Sequence, residues 1–431
     1  MPTAARTTAR PWVITGLIVL FMMINFADKS VLGLAAVPIM HEFHLSAGAY
    51  GLLVSSFFLL FSLASVAAGF AARRVDSRWV LFTLAAGWAI AQLPVLLVAA
   101  VPSLVVGRVL LGAAEGPASP MSMHALYTWF PNDRRGLPSA LQVAAGGVGT
   151  FLAAPLLTWI ITNHGWRAAF LALAVSAGVW AVLWLCLGHD GPHAAAPAPV
   201  AEPPGSRDRQ ALRPLFATGT VIGGLAAAFG AYWGLVVGSA WLPAYLHTQS
   251  ESPAAAARVV SLGAALGVLL ILTVVPITGR LIRRGVPSRW ARGLVQGLTV
   301  LVAGGCMAAF PYTGPGPLRI ALITIAFGAA GLTFPLSFLT AADIIPARYR
   351  STVFALSAAV STLPGIIAPA TTGALIGHFG YRTAFTTAGV LMLLTGAYAA
   401  FTIRPEHDYD RLRSAQPEPA GPPARETNPS R

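Results

Sequence analysis

The chain has 431 residues, of which 56% are hydrophobic and only 10% charged, with a mean hydropathy of +0.69. A soluble domain carries about 25% charged residues, so this composition excludes a water-facing globule and suits a lipid bilayer. The net charge of +13 comes from arginines set mostly in the gaps between apolar stretches, which argues for membrane topology and against a nucleic-acid partner.

Roughly 20 apolar residues cross the hydrocarbon core as a helix. In chain order, apolar stretches predict helices over 12–37, 47–71, 79–100, 103–128, 136–162 and 166–188. After a break they resume over 214–246, 255–282, 290–311, 317–345, 351–377 and 382–403. The stretch from Trp12 runs on past Asp28 without a small-residue cleavage site, so it reads as the first span and not as a signal peptide. The break, rich in Ala, Pro and charge, reads as a flexible linker. The expected organisation is an N-terminal six-helix bundle (1–188), a cytoplasmic linker (189–213), a C-terminal six-helix bundle (214–404) and a Pro-rich, disordered cytoplasmic tail (405–431). Cys186 and Cys306 lie in apolar stretches without metal-ligand neighbours. Neither a disulfide nor a metal site is expected, and no cofactor is implied.

Arginine placement sets the orientation. One set of gaps holds Arg73, Arg74 and Arg78; Arg134 and Arg135; Arg207, Arg209 and Arg213; Arg280, Arg283, Arg284 and Arg289; Arg348 and Arg350. The alternate gaps His41–Ser46, Val101–Ser103 and His247–Pro253 contain no Lys or Arg. Cytoplasmic loops carry the excess of positive residues, so both termini and the linker are expected in the cytoplasm, with the chain in the cell inner (plasma) membrane. Arg167 and Arg382 are exceptions, and they expose an internal repeat. Arg135, Arg167 and Phe170 recur as Arg350, Arg382 and Phe385, each 215 residues on, and Pro155 pairs with Pro369 after a one-residue slip. Two parallel six-helix halves place a site at their interface, near the bilayer midplane.

These residues carry a resemblance. Helix 4 reads RVLLGAAEGPASP from Arg108 to Pro120, preceded by Asp28-Lys29 in helix 1 and followed by Trp129-Phe130-Pro131 and Arg135. Gly165-Trp166-Arg167 with Phe170 closes the fifth helix, and Trp241-Leu242-Pro243 with Tyr245 closes the seventh. Over its whole length the chain resembles the major facilitator superfamily, and within it the anion:cation symporter family. The resemblance implies a twelve-helix all-α membrane fold that moves a small organic anion with protons by alternating access. Several positions depart from the family pattern. Gly69 to Arg78 reads GFAARRVDSR, with Arg73 where the loop motif has Asp, and Gly279 to Gly285 reads GRLIRRG with Arg283 at the equivalent place. In helix 2, Phe61 and Ser65 stand where the family has tyrosine and glutamine. In helix 11, small residues around Ser357 and Ser361 replace asparagines. Polar contacts are removed, so a sugar-acid substrate does not carry over.

A charge inside a membrane is costly and survives when paired, solvated or useful. Asp28, Lys29, Arg108 and Glu115 are such charges, and Lys29 is the only lysine of the chain. Arg108 and Glu115 are seven residues apart, which at about 100° per residue puts them on one helical face. The functional reading has Lys29 or Arg108 holding a substrate carboxylate while Asp28 and Glu115 carry protons. The structural reading is a pair of static ion pairs joining helices 1 and 4. Phe61, Tyr232 and Trp233 are candidates to line the substrate cavity, against a lipid-facing role for the aromatics of helix 7. Gln142 is a candidate donor to substrate and His124 a candidate proton relay, each against a packing role. Trp241 reads as an anchor at the outer interface, and Asp343 as the partner of Arg348 or Arg350.

The expected activity is import of a small organic anion, a carboxylate, by proton symport. The chain would act as a monomer in the bilayer, with no nucleic acid and no enzymatic constellation. A proton-coupled exporter or antiporter on the same fold is the alternative, and a non-transporting membrane sensor a more distant one.

Overall fold

The computed structural model describes residues 4–71, 75–131, 134–193 and 212–414. Among the described residues every regular element is a helix. Ten helical stretches are long and apolar enough to cross a bilayer. Two features explain the difference from twelve. The stretch Thr352–Thr402 is 51 residues long and holds two spans, joined at Gly380 with φ 78° and ψ 171°. The fourth span is split into Val101–Glu115 and Ala118–Tyr127. Pro117 has no N–H to donate and its ring excludes the carbonyl of Ala113, so the helix breaks directly after Glu115. The architecture is therefore all-α, with twelve transmembrane helices in two pseudo-symmetric six-helix bundles.

The sequence repeat is also a structural one. Arg135 donates from Nε to the Phe130 carbonyl and from Nη2 to the Tyr127 carbonyl. Arg350 donates in the same way to Ile345 and Ala342, capping the end of the tenth span. Orphan carbonyls at a helix C-terminus favour a cation, which is why arginine recurs there. Gly165 (φ 82°) and Gly380 (φ 78°) occupy equivalent turns at the other end of the bundles, a backbone region in which a Cβ is strained. Arg167 next to that first turn reaches Glu42 at 2.6 Å. The guanidinium and the Trp166 indole N–H hold the Glu42 carboxyl below its ordinary value.

The two halves pack tightly at the end of the molecule that carries the arginine-poor loops. A Cβ at Gly33 in the first span would strike the Ser239 carbonyl of the seventh, and one at Gly51 in the second would strike the Pro369 carbonyl of the eleventh. Ser261 donates across the interface to the Phe151 carbonyl at 2.8 Å. Trp241 is fully buried in this seal. Its ring meets Tyr50 edge-on at 5.4 Å, and its N–H reaches the Pro369 carbonyl at 3.3 Å. This corrects its reading as an interfacial anchor, because closure between bundles gives an indole more buried contact than the membrane surface does.

Three further expectations meet the structure at the arginine-rich end. Residues 73, 74, 207 and 209, and 194–211 of the expected linker, lie outside the described residues. Asp343 pairs with Arg292 at 2.9 Å and accepts from Ser288 Oγ at 2.6 Å; of its two expected partners, Arg350 commits its guanidinium to carbonyls, and the side chain of Arg348 lies outside the described residues. The tail expected to be disordered begins with a helix, Pro405–Ser414. Glu406 and Asp408 sit in its first turn and Arg411 and Arg413 in its last, the arrangement that complements a helix dipole. Asp408 is buried and accepts from the Thr220 N–H at 2.7 Å and from its hydroxyl at 2.6 Å, at the start of the seventh span. Residues 415–431 lie outside the described residues.

Candidate functional site

Between the halves lies a cavity of about 660 Å³ whose wall includes Lys29, Arg108, Glu115, Gln142, Phe61 and Tyr232. At the sealed end its wall includes Leu32 and Pro243, and at the arginine-rich end Thr220, Ala341 and Phe354. Local sequence explains how these side chains come together. The second span is interrupted between Ala47–Ser56 and Phe61–Ala71, where Phe57, Phe58 and Leu59 donate three residues back instead of four. Glycines 112 and 116 of the fourth span pack flush on the Phe57 and Phe61 carbonyls exposed there. The close approach leaves Glu115 and the Phe61 ring beside the same space.

Lys29 is the centre of the polar cluster. Its ammonium donates to Asn25 Oδ1 at 2.5 Å and lies 3.3 Å from Glu115 Oε2. The latter contact is close enough for charge pairing but not aligned as a hydrogen bond, since both Glu115 oxygens lack a hydrogen-bond partner. The faces of Phe26 and Phe61 are 4.6 and 5.7 Å from the ammonium, favourable cation–π distances. Arg108 is 3% exposed, lies 5.7 Å from the Phe170 ring and has no hydrogen-bond partner at Nε or Nη2. Asp28 and Glu115 are the carboxylates within its electrostatic reach. Gln142 donates to Ser122 Oγ at 3.0 Å, leaving its carbonyl oxygen without a partner.

Three of the sequence candidates stand elsewhere. Asp28 is fully buried behind the wall, where it accepts from Gln92 of the third span at 2.8 Å. Consecutive helical residues point about 100° apart, so Asp28 and Lys29 do not face one chamber. The same geometry turns Trp233 away from the cavity that Tyr232 lines, to a position 6.0 Å from Phe229. His124 lies on an exposed face of Ala118–Tyr127, past the break at Pro117 that separates it from Glu115. Asn25, Phe26, Phe58 and Phe334 of the site escaped sequence reasoning. Asn25 is one helical turn before Lys29 on the same face, a legible signal. Phe58, which touches Tyr232 of the opposite half at 6.1 Å, is one apolar residue in an apolar run and carries no signal.

Two six-helix bundles around a central cavity with buried charges define a membrane transporter fold. The description "Major Facilitator Superfamily" matches residues 18–369, and the chain belongs to that family. It is 28% identical to a protein of Cupriavidus necator named "Probable sulfoacetate transporter", covering 91% of this chain and 93% of that one. It is 25% identical to a hexuronate transporter of Bacillus subtilis, covering 89% and 92%, and 25% identical to a D-galactonate transporter of Escherichia coli, covering 91% and 95%. Among solved structures, a bacterial homolog of the human lysosomal transporter Spinster in an inward-facing, unoccupied conformation superposes with a TM-score of 0.74 at 19% identity, over 94% of this chain and 98% of that one. A D-xylose-proton symporter gives 0.73 at 17% identity, over 91% and 98%.

Proposed function

We propose that the chain imports a small organic anion, a carboxylate, together with protons across the cell inner membrane, with both termini in the cytoplasm. The observation that carries this reading is the polar cluster of the central cavity. Lys29, Arg108 and Glu115 share one wall, and Arg108 presents two donors with no protein partner. A buried guanidinium with free donors beside a half-buried ammonium matches a carboxylate, and charge-assisted contacts of this kind are the strong ones. The names of the relatives, which concern sulfoacetate, hexuronate and galactonate, support an organic anion as the substrate class.

Coupling follows from Glu115. While ionised, it competes with a substrate carboxylate for Lys29. Once protonated, it releases the ammonium, so proton and anion bind in favourable combination. The cycle has an energetic reason, because one negative charge entering against 100 mV, inside negative, is opposed by about 2.3 kcal/mol. One proton cancels that charge. Asp28, buried one residue away, offers a place for a second. The sealed end and the reach of the cavity toward the arginine-rich loops fit the cytoplasm-facing state of a rocking cycle.

The test is uptake into proteoliposomes from a panel of D-glucuronate, D-galactonate, sulfoacetate and benzoate. An acid-outside pH gradient drives accumulation of at least one of them above equilibrium. Uptake that ignores the gradient for every anion contradicts proton symport.

A further inference from the structure

The cavity divides its chemistry between the two halves. All of its charge lies on the N-terminal side, at Lys29, Arg108 and Glu115; no residue that the C-terminal half contributes to the wall is charged. Facing the cluster is a run of aromatic rings that crosses from one half to the other. Phe61 lies 5.7 Å from the Lys29 ammonium and 5.7 Å from the Phe58 ring. Phe58 meets Tyr232 edge-on at 6.1 Å, and Tyr232 meets Phe334 edge-on at 6.0 Å. These separations lie in the range of interacting aromatic pairs, and the rings line one continuous space.

Many of the hydroxyls along the wall are occupied. Ser30, Thr150, Ser239, Ser337 and Thr362 each donate to a carbonyl three or four residues back in their own helix, at 2.9, 3.2, 3.0, 3.0 and 3.0 Å. A polyhydroxylated acid buried here would meet few free hydroxyl donors among these residues, and the ring faces of Phe58, Phe61, Tyr232 and Phe334 give its hydroxyls little to pair with; buried polar groups without partners are strongly disfavoured. A flat apolar ring meets no such difficulty.

We infer that the substrate is an aromatic monocarboxylate, its carboxylate held by Lys29 and Arg108 and its ring received among Phe58, Phe61, Tyr232 and Phe334. This deepens the anion-transport reading and rests on it. Because Phe58 and Tyr232 belong to opposite halves, a ring seated between them touches both moving parts at once. It thereby makes the rocking of the bundles sensitive to whether the site is filled.

The inference is tested by calorimetric titration of the full chain in nanodiscs with benzoate, cyclohexanecarboxylate and D-glucuronate. Benzoate binds at least tenfold more tightly than either of the others. Tyr232→Leu removes the preference over cyclohexanecarboxylate and Tyr232→Phe retains it; where Tyr232→Leu does not fold, Phe334→Leu shows the same loss. D-glucuronate binding as tightly as benzoate, with Lys29→Ala weakening both, overturns the aromatic assignment while leaving the anion reading intact. Cyclohexanecarboxylate binding as tightly as benzoate overturns the ring contact. The absence of binding by all three overturns the aromatic assignment, and the anion reading falls with it only if the uptake panel also shows no gradient-driven accumulation.

Discussion

Arg108 is a full charge in a nearly inaccessible wall, with two of its donors unmatched by protein. Such a group is costly to keep unless something binds to it. Replacing Arg108 with Ala removes charge-assisted hydrogen bonds worth about 1.5–3 kcal/mol, so carboxylate affinity falls roughly tenfold to a hundredfold. Titration of the variant with the best-bound anion of the panel checks this, and an unchanged affinity takes the guanidinium out of the site. Lys29, Arg108 and Glu115 were legible in the sequence because a charge in an apolar helix is a strong signal. Their grouping was partly legible, through the seven-residue spacing in one helix. The placement of Asp28 was not. Sequence shows that it adjoins Lys29, but which of the two faces the cavity depends on how the first span is rotated against the third, where Gln92 receives it. The same limit applies to Trp233, whose direction follows from helical phase relative to Tyr232, and to His124, whose helix is set off from that of Glu115 by the break at Pro117.

Helices and their ends show a second kind of legibility. Pro117, Gly165 and Gly380 act as local punctuation, and the breaks fall where their backbone chemistry requires. For the helix Pro405–Ser414, Pro and charge in the sequence predict disorder, although its charges are ordered with negative first and positive last. What makes it form is tertiary: the buried Asp408 carboxylate accepts from the first turn of the seventh span, favourable for both the hydrogen bonds and the helix dipole. Asp408→Ala leaves those donors buried and unpaired, at a cost of about 1–3 kcal/mol. Thermal unfolding in detergent registers this as a melting temperature lower by several degrees, and an unshifted midpoint shows that the contact contributes nothing.

At the scale of the molecule, the repeat made the two-bundle plan readable from sequence, since Arg135 and Arg350 cap equivalent helix ends with equivalent bonds. The side on which the bundles close was not readable. The seal depends on small residues such as Gly33 and Gly51 meeting carbonyls of the opposite half, and many glycines in the sequence look alike. Closure at one end and a charged cavity near the middle suit the proposed cycle, in which proton and anion meet at Lys29. The most direct measurement compares wild type with Glu115→Gln in proteoliposomes, following one anion in two assays. Permanent neutralisation of residue 115 abolishes accumulation driven by a pH gradient while exchange of internal for external anion continues. A Glu115→Gln protein that still concentrates the anion against its gradient contradicts the coupling of proton and substrate through this pair.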